Sequence, residues 1–283
     1  MSSGAEAPGA RLEWEARKGK PAAGAALLSA TLAAASMAIQ FGAIGKPPDN
    51  ERDALIRFDE NRGEFFLSLG TQIVSYFLLA GALLYLLRAT MHRRPETPRY
   101  AIGLLALAPL LLAVGGVLNQ LDLNDVADEF LASGEQSDKR ADNLLEDRNV
   151  LGGAIGSGGT LCLALSFVLV SLNAMRAGLL SRFIGALGII VGVLLILPLL
   201  PGGQSVVQIF WLGALGVLFL DRWPNGRGPA WETGEAIPWP SAAEARALAE
   251  GQTPEREPRE EPPGGERAEP PRRVSKKRKR KRR

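Results

Sequence analysis

The chain has very few of the side chains that build catalytic or metal centres. Its 283 residues include one cysteine, Cys162, and one histidine, His92. A single cysteine excludes a disulfide framework, and one cysteine with one histidine cannot complete a zinc site without two carboxylates placed for it. A Ser-His-Asp triad needs His92, whose nearest acid in sequence is Glu96. No HExxH, GxSxG or paired-carboxylate spacing occurs. We therefore expect no catalytic residue, no metal and no cofactor.

Charged residues are missing from five long stretches. The uncharged runs lie between Lys20 and Lys46, Glu64 and Arg88, Arg99 and Asp122, Arg148 and Arg176, and Arg182 and Asp221, and they hold 25, 23, 22, 27 and 38 residues. A helix of roughly 20 apolar residues crosses a bilayer core of about 30 Å. The fifth run is too long for one crossing and contains a Pro/Gly turn at 198–203. This pattern excludes a single soluble globular domain.

We predict an all-α polytopic membrane bundle of six transmembrane helices within residues 22–222. The predicted spans are about 22–44, 65–87, 100–120, 151–174, 182–199 and 205–221. Residues 1–21 form a cytoplasmic N-terminal tail and residues 223–283 a disordered, Pro/Glu/Arg-rich cytoplasmic tail. The first run is longer than the 7–15 residues of a signal-peptide core, which favours a retained span.

The distribution of basic residues predicts the orientation of the bundle. Basic residues dominate the N-terminal tail, the 88–99 loop and the 176–182 loop, whereas the 46–64 and 122–148 loops hold six and nine acids. Because Lys and Arg are retained on the cytoplasmic side, both termini are expected in the cytoplasm of a cell (inner or plasma) membrane.

The two acidic loops carry helical patterns. In 122–148, Leu123, Val126, Ala127, Phe130 and Leu131 follow an amphipathic spacing, with Asp122 or Asn124 as the N-cap and Ser133-Gly134 as the end. A second stretch puts Ala141, Leu144 and Leu145 on one side, and Leu55, Ile56 and Phe58 follow a turn in 46–64. Short interfacial helices covering the outer face of the bundle are expected.

Several polar but uncharged residues within the predicted spans are candidates for interhelical contacts or for a polar lining. They are Gln40, Gln72, Ser75, Asn119, Gln120, Ser157, Thr160, Ser166, Ser171, Asn173 and Gln208. Interhelical hydrogen bonding explains them more simply than a polar lining for a neutral solute, because they are scattered over five spans. Glycine pairs in the fourth span (Gly152, Gly156) and the fifth (Gly188, Gly192) allow close helix packing. They also allow a homo-oligomer, which the sequence alone does not separate from internal packing.

The end of the chain is polybasic. Removing the last twelve residues changes the net charge from +3 to −7. This run is expected to contact anionic lipid head groups or nucleic acid, although a solvated charge run that supports topology explains it equally well. Its basic residues are Arg272, Arg273, Lys276, Lys277, Arg278, Lys279, Arg280, Lys281, Arg282 and Arg283. Trp231 and Trp239 are unusual in such a tail and suggest contact with the membrane face, the bundle or a partner.

Residues 175–194, MRAGLLSRFIGALGIIVGVL, resemble a segment of a broad family of multi-span bacterial membrane proteins. Those proteins have a long loop before the fourth span and a Gly-Leu-[Leu/Ile]-x-Arg-x-x-Gly-x-Leu-Gly start to the fifth. The resemblance covers roughly residues 20–222 and implies architecture alone, since no activity is established for the family. Arg-rich, Ala/Gly-rich composition is typical of high-GC bacteria such as actinobacteria.

The sequence favours a non-enzymatic scaffold or regulatory protein in the lipid bilayer whose tail contacts an anionic partner. The alternative is a permease or channel for a small neutral solute, lined by the amides. A membrane-embedded enzyme is the third hypothesis.

Overall fold

The computed structural model describes residues 8–45, 48–132, 134–197, 203–224, 226–237 and 239. Within these residues the chain forms nine α-helices and no strand. The helices are α1 (Pro8–Ala38, continued by a π-helical segment Ile39–Ile44), α2 (Glu51–Glu60), α3 (Arg62–Arg93), α4 (Tyr100–Ala132), α5 (Asp138–Glu146), α6 (Leu151–Arg176), α7 (Arg182–Ile196), α8 (Gly203–Phe219) and α9 (Pro229–Thr233).

Four of these helices are long and apolar enough to cross a membrane. They are α1 with its π-helical continuation, α3, α4 and α6. The other two predicted spans correspond to α7 and α8, which have 15 and 17 residues. At 1.5 Å per residue these helices measure about 22 and 26 Å, short of a bilayer core of about 30 Å. The all-helical fold is therefore confirmed, with four helices that are long and apolar enough to span a membrane, while the number of six crossings stays a prediction.

The six longest helices form a closed ring in the order α1, α3, α4, α6, α7, α8. Each packs against the next, and α8 packs against α1. The start of α1, the end of α3 and the end of α8 meet at one end of the ring, where Tyr85 contacts both Trp14 and Phe219. We call this the terminal end. The opposite end carries α2 and α5 and is called the cap end.

Glycines allow α4 and α6 to pack with their backbones almost in contact. A Cβ on Gly115 would lie 2.4 Å from the Gly156 nitrogen, and one on Gly159 would lie 2.7 Å from the Leu112 nitrogen. Gly152 is equally close to Asn119. These glycines therefore serve packing within the chain.

Paired serines join α1 to α3. The Ser29 and Ser75 hydroxyls are 3.0 Å apart, and those of Ser36 and Ser68 are 2.9 Å apart. All four residues are buried. The two helices run antiparallel, and the two serines on each helix lie seven residues, or about two turns, apart on the same face. Both pairs can therefore form, and each hydroxyl has a hydrogen-bond partner in the apolar interior.

A small second core lies at the cap end. It joins α2, α5 and the last turns of α4 through buried apolar side chains: Leu55, Phe58, Ala127, Phe130, Ala141 and Leu144. We call these three elements, with α4 counted from residue 123, the cap. The expected short helices at Leu55–Phe58 and Ala141–Leu145 are confirmed as α2 and α5.

The prediction of a separate helix beginning at Asp122 or Asn124 is wrong. α4 runs without interruption from Tyr100 to Ala132. The two side chains proposed as caps instead accept hydrogen bonds from arginines, Asp122 from Arg148 at 2.8 Å and Asn124 from Arg62 at 2.7 Å. No helix-breaking residue separates the apolar run from the amphipathic run, so the two join.

Both predicted tails are partly folded. α1 begins at Pro8, so residues 8–21 are its first turns. Residues 226–237, expected to be disordered, pack on the terminal end, where Ala230 and Trp231 are buried. Of the interpretations offered for Trp231, contact with the bundle is the one observed: its Nε1 donates to the Leu179 carbonyl at 2.9 Å. An indole can bury its ring when its single N–H finds an acceptor.

Candidate functional site: a cavity open toward the cap

A cavity of about 740 Å³ lies inside the ring, in its cap-end half. All six ring helices line it, and α2 and α5 contribute to its mouth. Its volume is within the range of roughly 300–1,000 Å³ that is typical of small-molecule sites in proteins. We divide it into a polar floor, an apolar wall and a charged rim.

The floor consists of neutral hydrogen-bonding groups. It contains Gln72 and Tyr76 on α3, Thr160 on α6 and Gln208 on α8. From the Tyr85–Phe219 ring contact, Tyr76 and Gln72 are about 14 and 20 Å along α3, and Gln208 is about 16 Å along α8. Residues from different spans therefore reach the same depth. The lining described here contains no ionisable side chain other than Tyr76 at that level.

Gln208 is the most informative floor residue. It is only 6% exposed and lines the cavity, and no side-chain hydrogen bond joins its amide to another residue in the described part of the chain. A buried amide without partners is costly, and buried polar groups in native proteins almost always have them. Because the amide faces the cavity, its hydrogen-bonding partner is a molecule inside the cavity, either water or a bound solute.

The wall between floor and rim is mainly apolar. It includes Met37, Phe41, Phe65 and Leu195. The π-helical segment Ile39–Ile44 forms one side of it, and π-helical turns inside α-helices occur frequently at functional sites. Gln40, in this segment, donates to Ser68 at 3.1 Å and thus extends the serine pairs to the cavity.

The rim carries charges of both signs. Glu51 and Arg57 come from α2, and Arg148 comes from the turn before α6. Arg148 is held by Asp122, 2.8 Å from its Nε, and by the side chain of Asn119 at 3.0 Å. This ion pair ties the start of α6 to α4 and fixes one side of the mouth.

Beyond the floor the ring is filled by close packing. Trp211, Leu83, Leu86 and Leu215 are fully buried there. Trp211 contacts Phe167 and donates its Nε1 hydrogen to the Ile184 carbonyl at 2.9 Å. The described lining residues lie on the cap side of this packed layer, so the cavity ends in the middle of the bundle.

The terminal end is closed by a buried ion pair and the segment 226–237. The Arg93 guanidinium, whose side chain is 0% exposed, pairs with Glu15, and its Nη2 lies 2.9 Å from Glu15 Oε2. Arg93 also donates to the Ala230 carbonyl from Nε at 2.9 Å and from Nη2 at 2.7 Å. Its guanidinium carbon lies 5.5 Å from the centre of the Trp231 ring. We call this group the latch: Glu15, Arg93, Ala230 and Trp231.

The few reactive side chains found in the sequence are not brought together. His92 lies beside the latch, with Nδ1 3.9 Å from Glu15 Oε1, whereas Cys162 is half-buried on α6. No group of three or more His, Cys, Asp or Glu residues that could hold a metal ion occurs in the described ranges. The predicted anionic-partner residues, 272–283, lie outside the residues that the structure describes.

Interhelical pairing was the favoured prediction for the amides, and a polar cavity lining was the alternative. The structure brings Gln40, Gln72, Thr160 and Gln208 to one cavity. Of the other predicted residues, Ser75 pairs with Ser29 across two helices and Asn119 accepts from Arg148, whereas Ser166 bonds a carbonyl of its own helix. Gln120 and Ser171 are buried outside the cavity, and Gln120 Nε2 and Ser171 Oγ have no hydrogen-bond partner. The positions of the floor residues within the predicted spans indicate that they lie at similar depth in the membrane. The sequence does not show which way each helix faces, and therefore does not show that these residues share a cavity.

The chain matches no protein-family model, no curated protein and no solved structure.

Proposed function

We propose that the protein is a permease for a small uncharged solute, with the cavity as its solute site. The observation that carries this proposal is Gln208, a buried amide that lines a cavity open on one side and lacks a partner in the described chain. The four neutral floor residues and the packed layer beyond them place a polar site near the middle of the bundle, the depth at which secondary transporters bind their substrates. This is the alternative function expected from the amides.

We further propose the topology that the charge pattern predicts: six spans in the cell membrane, with both termini in the cytoplasm. Glu15 and Ala230 both contact Arg93, which supports placing the start and the end of the bundle on the same side. The cap then faces outward, and the cavity takes up solute from outside. Exposed apolar side chains on α4, such as Leu110, Val114 and Val117, are suited to contact with lipid.

The test is solute flux in proteoliposomes that contain the full-length protein. Vesicle volume is followed by light scattering after an osmotic step with glycerol, urea or erythritol. Gln208→Leu retains the side-chain size and removes the amide, and we expect it to reduce protein-dependent flux at least fivefold. Gln120→Leu is the matched control, because Gln120 is a buried glutamine that does not line the cavity. Equal flux in wild type and Gln208→Leu would contradict the proposal.

The polybasic run supports a second function, contact of the tail with anionic lipid or nucleic acid. Ten of its twelve residues are Lys or Arg. Salt-sensitive flotation with anionic liposomes, or capture of nucleic acid, should be lost when residues 272–283 are deleted. A scaffold would lose its role in that variant, whereas a permease would keep its flux.

A further inference from the structure

We infer that the solute is an uncharged amphiphile that enters with its hydrogen-bonding head toward Gln72 and Gln208. This inference rests on the proposed solute site and specifies its substrate class. It follows from the order of chemistry along the cavity: neutral polar groups at the floor, apolar side chains on the wall, and charges only at the rim.

The head group must be able to donate and accept hydrogen bonds. Glutamine amides present both a donor and an acceptor, and Tyr76 adds a hydroxyl. A hydroxyl, carbonyl or amide head therefore satisfies the unpartnered Gln208. Leaving that amide against a hydrocarbon chain would bury a polar group without a partner.

The head group carries no charge. No Asp, Glu, Lys, Arg or His belongs to the floor residues described above. A carboxylate or ammonium at that depth would lose its hydration without gaining a counter-ion. The charged rim residues lie at the mouth instead, and Arg148 is already paired with Asp122.

The body of the solute is apolar. Met37, Phe41, Phe65 and Leu195 surround the space through which it reaches the floor. Each methylene group moved from water to such a wall strengthens binding by about fourfold. A small hydrophilic molecule would leave this wall unfilled, so glycerol alone is expected to bind weakly.

A series of probes separates these features. Binding of radiolabelled 1-decanoylglycerol, decanoate, decyltrimethylammonium and glycerol is measured with full-length protein in nanodiscs, with empty nanodiscs as background. We expect saturable binding of 1-decanoylglycerol and at least tenfold weaker binding of the two ions and of glycerol. Gln208→Leu should weaken 1-decanoylglycerol binding about tenfold, which corresponds to about 1.4 kcal/mol, and Gln120→Leu should leave it unchanged.

Several results would overturn this inference. Tighter binding of decanoate than of 1-decanoylglycerol would mean that the head group stays at the rim arginines and that the amphiphile binds in the opposite orientation. Binding of 1-decanoylglycerol that is insensitive to Gln208→Leu would place it outside the floor. If 1-decanoylglycerol does not bind while glycerol flux depends on Gln208, the inference of an amphiphilic solute is wrong but the proposed permease function is supported. If neither depends on Gln208, both proposals fail. Unchanged thermal unfolding of Gln208→Leu shows that the variant is folded.

Discussion

Replacing Arg93 by methionine should release the segment 226–237 from the bundle. The substitution leaves Glu15, which is 5% exposed, as a buried carboxylate without its cation. It also removes both hydrogen bonds that Arg93 donates to the Ala230 carbonyl and its contact with the Trp231 ring. Breaking a buried ion pair by removing one partner costs roughly 3–5 kcal/mol. We expect a loss of stability in that range for Arg93→Met.

The double variant Glu15→Leu/Arg93→Met tests whether the stranded charge causes this loss. Removing both charges leaves no stranded ion, and the Ala230 carbonyl keeps the hydrogen bond that it accepts from the Gly234 N–H at 3.2 Å. The double variant should therefore be more stable than Arg93→Met alone, which means that the two single effects do not add. Stability is measured by denaturant unfolding of the detergent-solubilised protein, followed through tryptophan fluorescence.

Release of the segment is measured separately by cysteine labelling. Ala230 is fully buried, so Ala230→Cys in a Cys162→Ala background should resist a maleimide. Adding Arg93→Met should make this cysteine reactive. The reasoning would be refuted if Arg93→Met changed stability by less than about 1 kcal/mol, or if the double variant lost as much as both single variants together.

Three further predictions concern packing and the tail. Gly178→Ala should destabilise the protein and expose the C-terminal segment in the same labelling assay, because Gly178 has φ +78° and its Cβ would lie against the carbonyl oxygen of Ile237. Gly159→Ala should lower the unfolding midpoint by forcing α4 and α6 apart, whereas Gly153→Ala, which has open space, should keep or raise it by up to about 1 kcal/mol. Deleting residues 272–283 should leave thermal unfolding of the bundle unchanged while abolishing salt-sensitive flotation with anionic liposomes.

The long helices were predictable because an uncharged apolar run of about 20 residues has few stable conformations other than a membrane-spanning helix. The gap between Glu64 and Arg88 lies within α3, and α6 contains all but the first two residues of the gap between Arg148 and Arg176. The short helices of the cap were also predictable from their periodicity. Junctions were less predictable: nothing local distinguishes a separate helix at Leu123 from the continuous α4, whose side chains at that point are held by distant arginines.

The cavity and the latch depend on contacts that are distant in sequence. Gln72 and Gln208 are separated by more than a hundred residues and share a cavity only because the ring closes through α1. Arg93 was assigned to a basic loop, and its burial becomes understandable only when Glu15 and Ala230 lie beside it. Composition indicates that the Pro/Gly-rich residues 226–237 cannot form a hydrophobic core of their own. It does not show that their apolar side chains are buried against the bundle.

One-sided access to the cavity is the central claim, and cysteine accessibility of position 208 tests it most directly. Gln208→Cys is placed in a Cys162→Ala background in sealed vesicles, and a membrane-impermeant thiol reagent is added to one side at a time. The account predicts labelling from the side of the cap and protection from the side of the chain termini, with Leu83→Cys protected from both because Leu83 lies in the packed layer. Labelling of position 208 from the terminal side, or from neither side, would contradict it.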